Sequence, residues 1–306
     1  MVPLRSLRPS AACVSAAVLV ACSGSTPSPA PEPAAAPASA SATIGAAADQ
    51  FFTSDGARLR YREAGRGDAV VLVHGLTRSL HDWVGVGDSL ALDHRVIALD
   101  LRGFGQSTRF RTPSDFGPKM ADDVVRLLDH LRLSRAHLVG HSLGAAIVAD
   151  VAARYPDRVA SASLVAGRYR EGTPSFVRDD SGFVADVERG AGMVRFLKWL
   201  FPGMPDSVAT ALSAQTMAAN DPAAIAATMR SMGGLMVPPD RAGAIKAPTL
   251  VAVGGRDPLI DDSRWLASWW PRAQLLVIPE ADHANVAQRG EVLVAMRGLM
   301  HPGVGR

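Results

Sequence analysis

The sequence predicts an α/β fold built on a largely parallel sheet. Short runs of β-branched and aliphatic residues recur along the chain and alternate with stretches of helical periodicity. Several of these runs, Val70-Val71-Leu72-Val73 among them, are apolar at every position, as in a strand covered on both faces. The alternation breaks only once, over one long helical insertion.

Strands are expected at Ala57–Arg62, Ala69–His74 and Arg95–Asp100, short runs bounded by Gly, Asp and other turn formers. A helix at Lys119–Leu131 leads to the strand Ala136–Gly140, and a second at Leu143–Arg154 leads to the strand Ala160–Val165. From Gly167 to Gly243 the strand pattern stops. Ala-, Met- and Arg-bearing segments separated by Gly and Pro read there as short helices. An insertion of that size between two core strands is most simply a helical cap over one end of the sheet, approximately residues 167–243. The strand Thr249–Gly254, the helix Asp262–Trp269, the strand Gln274–Ile278 and a helix at Val286–Leu299 complete the series.

The chain ahead of this body has a different character. Arg5 and Arg8 precede an apolar run from Ala11 to Ala21, a signal-peptide pattern about half the length needed to span a bilayer. Residues 23–48 are almost wholly Ser, Thr, Pro, Ala and Gly, with Pro27, Pro29, Pro31, Pro33 and Pro37 favouring extended polyproline II at about 3.1 Å per residue. The expected organisation is a signal over 1–22, a tether over 23–48 and one capped domain over 49–306. The end of the signal, Leu19-Val20-Ala21-Cys22, resembles a bacterial lipoprotein signal (lipobox). That resemblance implies cleavage before Cys22, lipidation of that cysteine and attachment to a membrane of the cell envelope. An ordinary cleaved signal would instead leave a secreted or periplasmic protein.

Composition excludes several functions. A formal charge of +3, with no dense Lys/Arg cluster, speaks against nucleic-acid binding. The 2 cysteines, Cys13 and Cys22, both precede the body, which therefore has neither a disulfide framework nor a Cys-based zinc site. No P-loop, H-E-x-x-H or dinucleotide-type glycine turn occurs, so neither cofactor nor metal is expected.

The chemistry-bearing signal is Gly140-His141-Ser142-Leu143-Gly144, where a strand turns directly into a helix. A serine on such a turn is held in a strained conformation with its hydroxyl exposed above the sheet. Serine needs a base to take its proton, and the base needs a carboxylate to fix its tautomer. His283 follows the strand Gln274–Ile278, and Asp257 follows Thr249–Gly254. Both lie at strand C-terminal ends, where open α/β sheets place their sites. Asp261, Asp262, Asp282 and Asp100 are rival acids. The backbone N–H groups of Leu143 and of Leu76, in His74-Gly75-Leu76-Thr77, are the expected donors to an oxyanion. His74 reads as a brace for that loop and His141 as a wall of the site. Trp83, a few residues past that loop, reads either as core packing or as lining of the substrate pocket, whereas Trp265 and Trp269, one helical turn apart, read as core.

With His74-Gly75, Asp100-Leu101-Arg102-Gly103-Phe104-Gly105-Gln106-Ser107, the serine turn, Asp257 and His283, the chain resembles the α/β-hydrolase superfamily from Phe51 to Met300. The resemblance implies a mostly parallel sheet flanked by helices and a Ser142–His283–Asp257 triad. A serine at 142 is unlike the branches that use an aspartate nucleophile. A small-molecule acyl ester is the expected substrate. Lactone or carbon–carbon hydrolysis, acyl transfer and cofactor-free haloperoxidase chemistry remain open on the same triad, as does a non-catalytic binding role.

Overall fold

The computed structural model describes residues 43–167, 182–243 and 245–301. Its strands are β1 (Gln50–Ser54), β2 (Ala57–Ala64), β3 (Ala69–Val73), β4 (Arg95–Leu99), β5 (Ala136–His141), β6 (Val159–Val165), β7 (Thr249–Gly254) and β8 (Ala273–Ile278). They form one 8-stranded sheet in the order β1-β2-β4-β3-β5-β6-β7-β8. β2 pairs antiparallel with both β1 and β4, and every other pairing is parallel. The helices are α1 (Val84–Leu90), α2 (Pro118–His130), α3 (Leu143–Arg154), α4 (Phe183–Glu188), α5 (Val194–Leu200), α6 (Asp206–Ala219), α7 (Pro222–Ser231), α8 (Pro239–Ala242), α9 (Ile260–Trp269) and α10 (Gly290–Met300).

The apolar runs explain the layering. Successive strand residues point to opposite faces. Val71, Val73 and Ile97 therefore meet Val124, Leu128, Ile147 and Leu266 of α2, α3 and α9. Their neighbours Val70, Leu72 and Val96 meet Val86, Leu90, Val292 and Met296 of α1 and α10 on the other face. Each fully buried Val or Leu contributes about 1.5–3 kcal/mol relative to exposure, so the sheet is held from both sides. This is the predicted α/β fold, with a helical insertion between β6 and β7.

The details differ from the sequence expectation in four places. β1 precedes the first expected strand and joins it through Asp55 (φ 46) and Gly56 (φ 76), the left-handed pair of a tight hairpin turn. The fold also reaches back into the segment assigned to the tether. Ile44 is fully buried with Leu72 and Val86, and its N–H donates to Asp88 Oδ1 at 2.6 Å. Residues 43–48, ahead of the expected start of the domain at 49, thus pack with it, because one aliphatic side chain suffices to dock a stretch of small residues. α1 was not anticipated either. The continuous helix expected at Val286–Leu299 is instead a 3-10 turn at Val286–Gln288 followed by α10, with Arg289 extended between them (φ −71, ψ 136). The turn is held to the loop before it by the Val286 N–H, which donates to Asp282 O at 3.2 Å.

The insertion carries α4 to α8 and is fastened to the sheet domain by polar contacts. Arg111 Nε pairs with Asp221 Oδ2 at 2.6 Å, and Asn220 Nδ2 donates to Thr77 O at 3.2 Å. The expected start of the cap falls partly on residues 168–181, outside the described residues, as do the signal, Cys22 and most of the tether. Among the described residues, no helix is long and apolar enough to cross a membrane.

Candidate active site

Ser142 sits between β5 and α3 with φ 54 and ψ −115, a left-handed conformation that costs a non-glycine residue on the order of 1–3 kcal/mol. The flanking glycines are what make the turn buildable. A Cβ on Gly140 would lie 2.2 Å from Gly144 O, and one on Gly144 would lie 2.1 Å from Val73 O. Only backbone without side chains lets α3 approach β3 and β5 this closely. The Ser142 N–H donates to Val165 O at 2.8 Å, which pins the turn to β6.

Sheet order then decides what faces the serine. From β3 the chain passes to β4 on one side, and β5 returns on the other. This reversal opens a crevice at the strand C-terminal ends, the place where α/β sheets bind ligands. The loop after β3, carrying Gly75 and Leu76, and the turn at Ser142 are its two lips. The loops after β7 and β8 bring in the remaining groups. His283 Nε2 lies 3.0 Å from Ser142 Oγ, and its Nδ1 lies 2.9 Å from Asp257 Oδ2. Both His283 and Asp257 are buried. The second Asp257 oxygen, Oδ1, accepts the Leu259 N–H at 2.9 Å, which fixes the carboxylate in plane. Because the carboxylate accepts, Nδ1 carries the proton, and the Nε2 lone pair is left to face the serine hydroxyl. Such a chain can move a proton from serine to imidazole as the oxygen attacks an electrophile.

The rival carboxylates are committed elsewhere. Asp261 pairs with Arg264 at 3.1 Å, and Asp282 Oδ1 accepts the Ala284 and Asn285 N–H groups at 2.9 and 3.0 Å. Asp262 is buried on α9. Asp100, fully buried, accepts from Leu80 N, Gln106 N and Arg60 Nη1 at 2.7, 2.9 and 3.2 Å. Its role is to tie together the loops after β3 and β4.

Leu143 contributes the first amide of α3, where no helical carbonyl is available to it and the helix dipole is positive. The Leu76 amide has no hydrogen-bond acceptor among the described residues. Both leucines border the cavity at Ser142. His74 braces the Leu76 loop from beneath: its Nδ1–H donates to Gly75 O at 2.7 Å, and its Nε2 accepts the Leu101 N–H at 3.0 Å. That pattern needs a neutral ring, and complete burial holds the His74 pKa below its usual value. His141 does more than line the wall. Its Nε2–H donates to His283 O at 2.8 Å, so it holds the backbone of the histidine that faces Ser142. Burial, with His283 alongside, pushes the His141 pKa down to about 4. Its place beside Ser142 was the available signal, but the contact to a loop 142 residues away was not. Asn220 was not foreseen at all; it donates to the carbonyl of Thr77, whose φ is 63.

The cavity over Ser142 and His283 has a volume of about 170 Å³. Trp83 lines it, as the sequence suggested, yet is also buried in the core, and its Nε1–H lacks a partner among the described residues. Met193, Leu197, Phe201 and Leu212 form the cap side. A second cavity of about 30 Å³ opens from the same serine and is bordered by Leu143, Ala146, Trp199, Met232 and Leu259. Trp265 and Trp269 border neither; they pack against each other on α9, with Trp269 half exposed. One group of metal-ligand types lies apart from this site. Asp93, His94 and His301 place ligand atoms within 4.8 Å of one another next to the N-terminal end of β4. Arg297 Nη2, 3.3 Å from Asp93 Oδ1, already supplies a cation there.

The curated relatives include the dihydrolipoyllysine-residue acetyltransferase component of the acetoin cleaving system of Pseudomonas putida, 34% identical over 238 residues. That alignment covers 74% of this chain and 62% of the relative, so the chain spans under two thirds of that protein. The pimeloyl-[acyl-carrier protein] methyl ester esterase of Chromobacterium violaceum is 32% identical over 244 residues, covering 72% of this chain and 89% of that one. Among solved structures, a thermophilic esterase from Thermogutta terrifontis superposes with a TM-score of 0.68 at 27% identity, over 82% of this chain and 97% of its own. The family model described as alpha/beta hydrolase fold matches residues 68–289. Because that match runs from the start of β3 to just beyond the His283 loop, the chain belongs to the alpha/beta hydrolase fold family.

Proposed function

We propose that the chain is a serine esterase that passes the acyl group of a carboxylic ester to Ser142 and then to water. Ser142 Oγ attacks the carbonyl carbon while His283 Nε2 takes its proton, and Asp257 stabilises the imidazolium through Nδ1–H. The Leu76 and Leu143 N–H groups receive the charge that develops on the carbonyl oxygen; one such donor is typically worth about 10²–10³ in rate. His283 then protonates the leaving oxygen, the ester C–O bond breaks and the alcohol departs. Water attacks the acyl-enzyme with His283 again as base, releasing the acid and restoring the serine.

The observation that carries this reading is the unbroken relay from Ser142 Oγ to His283 at 3.0 Å and on to Asp257 at 2.9 Å, opening into a cavity with an apolar cap wall. The two esterases among the proteins this chain is similar to support it further. The test is labelling with a fluorophosphonate together with hydrolysis of p-nitrophenyl acetate. Wild type is expected to react and to turn over, whereas Ser142→Ala loses labelling and a factor on the order of 10⁶ in kcat. Equal labelling of the two proteins refutes the reading. Lactones, diketones and alcohol acceptors in the same panel separate ester hydrolysis from other uses of the triad.

We also infer that the chain is exported and held on a membrane of the bacterial envelope through Cys22, with the Pro-rich segment after it as spacer. The basis is the sequence: a basic start, a short apolar run and Leu19-Val20-Ala21-Cys22. The protein is expected to incorporate a clickable palmitate analogue in cells and to partition with membranes, with Cys22→Ser abolishing both. Incorporation that survives Cys22→Ser, or a wild-type protein free of lipid, refutes the anchor.

A further inference from the structure

We propose that the enzyme selects esters of short acids, acetyl to propionyl, joined to an alcohol or phenol of ring size or larger. The inference rests on the esterase reading and adds to it the assignment of two unequal chambers. A tetrahedral centre on Ser142 has three further substituents. Its oxyanion points at the Leu76 and Leu143 amides, and its leaving oxygen must lie within reach of His283 Nε2 to collect a proton. The acyl substituent takes the remaining direction.

His283 borders both chambers, but only the larger one also runs along Ala284, Ala287 and Gln288, the segment directly after it, and this one is assigned to the leaving group. The smaller one lies over the start of α3, against Leu143 and Ala146, and receives the acyl substituent. From the cap, Phe196 and Leu200 border both chambers, as do Leu76, Ser142 and His283 from the sheet domain. Size then sets the specificity. A cavity of roughly 150 Å³ admits a benzene ring, while about 10–15 Å³ of such space holds one water. The leaving-group chamber, at about 170 Å³, thus takes a ring, and the acyl chamber, at about 30 Å³, takes a methyl or ethyl group. Among the described residues, the acyl chamber is lined by apolar side chains apart from Ser142 and His283, Trp199, Met232 and Leu259 among them. A charged or hydroxylated acyl group would lose its hydration there without replacement. One methylene too many in a filled apolar pocket costs about 10–200-fold in kcat/KM.

The two orientations are separated by a pair of isomeric esters, phenethyl acetate and methyl hydrocinnamate, which have the same atoms with acyl and alcohol sizes exchanged. Wild type is expected to prefer the acetate by about tenfold or more in kcat/KM. A series of p-nitrophenyl esters is expected to fall steeply beyond the propionate. Met232→Ala, which enlarges only the acyl chamber, should move the optimum to the butyrate while the preference for the acetate isomer persists. Preference for the methyl ester, or a wild-type optimum at longer acyl chains, overturns the proposal. Failure to cleave either isomer also overturns it; fluorophosphonate labelling of Ser142 then leaves the serine-nucleophile reading standing, and absence of labelling removes that reading as well. If Met232→Ala does not fold, the isomer comparison on wild type decides alone.

Discussion

Asn220, at the C-terminal end of α6, hydrogen-bonds the proposed oxyanion loop, and replacing it with aspartate tests whether that contact matters for turnover. The amide Nδ2 donates to Thr77 O at 3.2 Å and to Thr216 O at 3.0 Å. In Asn220→Asp both contacts become oxygen against oxygen, and the new charge moves toward solvent. Each neutral hydrogen bond lost costs about 0.5–1.5 kcal/mol. Thr77 is itself strained, with φ 63, and such a residue is worth on the order of 1–3 kcal/mol to relax. Its neighbour Leu76 carries the donor, so relaxation of Thr77 moves that N–H away from the oxyanion. Losing the donor outright would cost about 10²–10³. Losing a restraint of about 1 kcal/mol should instead lower kcat about fivefold to tenfold. KM for p-nitrophenyl acetate should change less than about twofold, because the ground-state carbonyl gains little from the donor. Affinity for a trifluoromethyl ketone inhibitor should fall in parallel with kcat/KM. An unchanged kcat, or a raised KM at constant kcat, would show that Asn220 only shapes the cap and would refute the reasoning.

Three further outcomes are expected. His141 and His137 are both pushed down to about 4 from 6.5 by burial, so below pH 6.5 the unfolded chain takes up protons that the native one refuses. Stability should be full above pH 6.5 and fall toward pH 4 by up to about 1.4 kcal/mol per pH unit per histidine. Chemical denaturation across that window should show a shallower slope for His137→Gln; equal slopes contradict the assignment. Arg102→Leu strips the buried Asp123 of its paired contacts from Nε and Nη2 at 2.6 and 2.7 Å and should destabilise by about 3–5 kcal/mol in urea titrations, with a loss below about 1 kcal/mol as the contrary result. Gly144→Ala must part α3 from β3, because the new methyl would lie 2.1 Å from Val73 O; a variant with wild-type Tm and kcat would show that the close approach is dispensable.

Much of the site was readable because its local demands are written in local residues. Gly140 and Gly144 flank Ser142 because α3 passes so near β3, and the turn could be recognised from a strand meeting a helix. Asp257 follows the fully buried run of β7 and His283 the aliphatic run of the partly exposed edge strand β8, and both runs read as parallel strands ending at the same edge of the sheet. β1 and Ile44 were missed for the opposite reason: a short edge strand and one docked aliphatic carry no periodicity of their own.

By itself, the sequence determined most of the elements, the largely parallel sheet implied by their apolar runs, and which residue types stand at strand ends. Only the tertiary structure decided which of them meet. The reversal between β3 and β5 sets Leu76 opposite Ser142, the loops after β7 and β8 choose Asp257 over its rivals, and the cap borders two unequal chambers. Backbone preference and burial periodicity act over a few residues and leave a local trace. A distance such as the 3.0 Å between positions 142 and 283 depends on the packing of every strand between them, and no single segment encodes it.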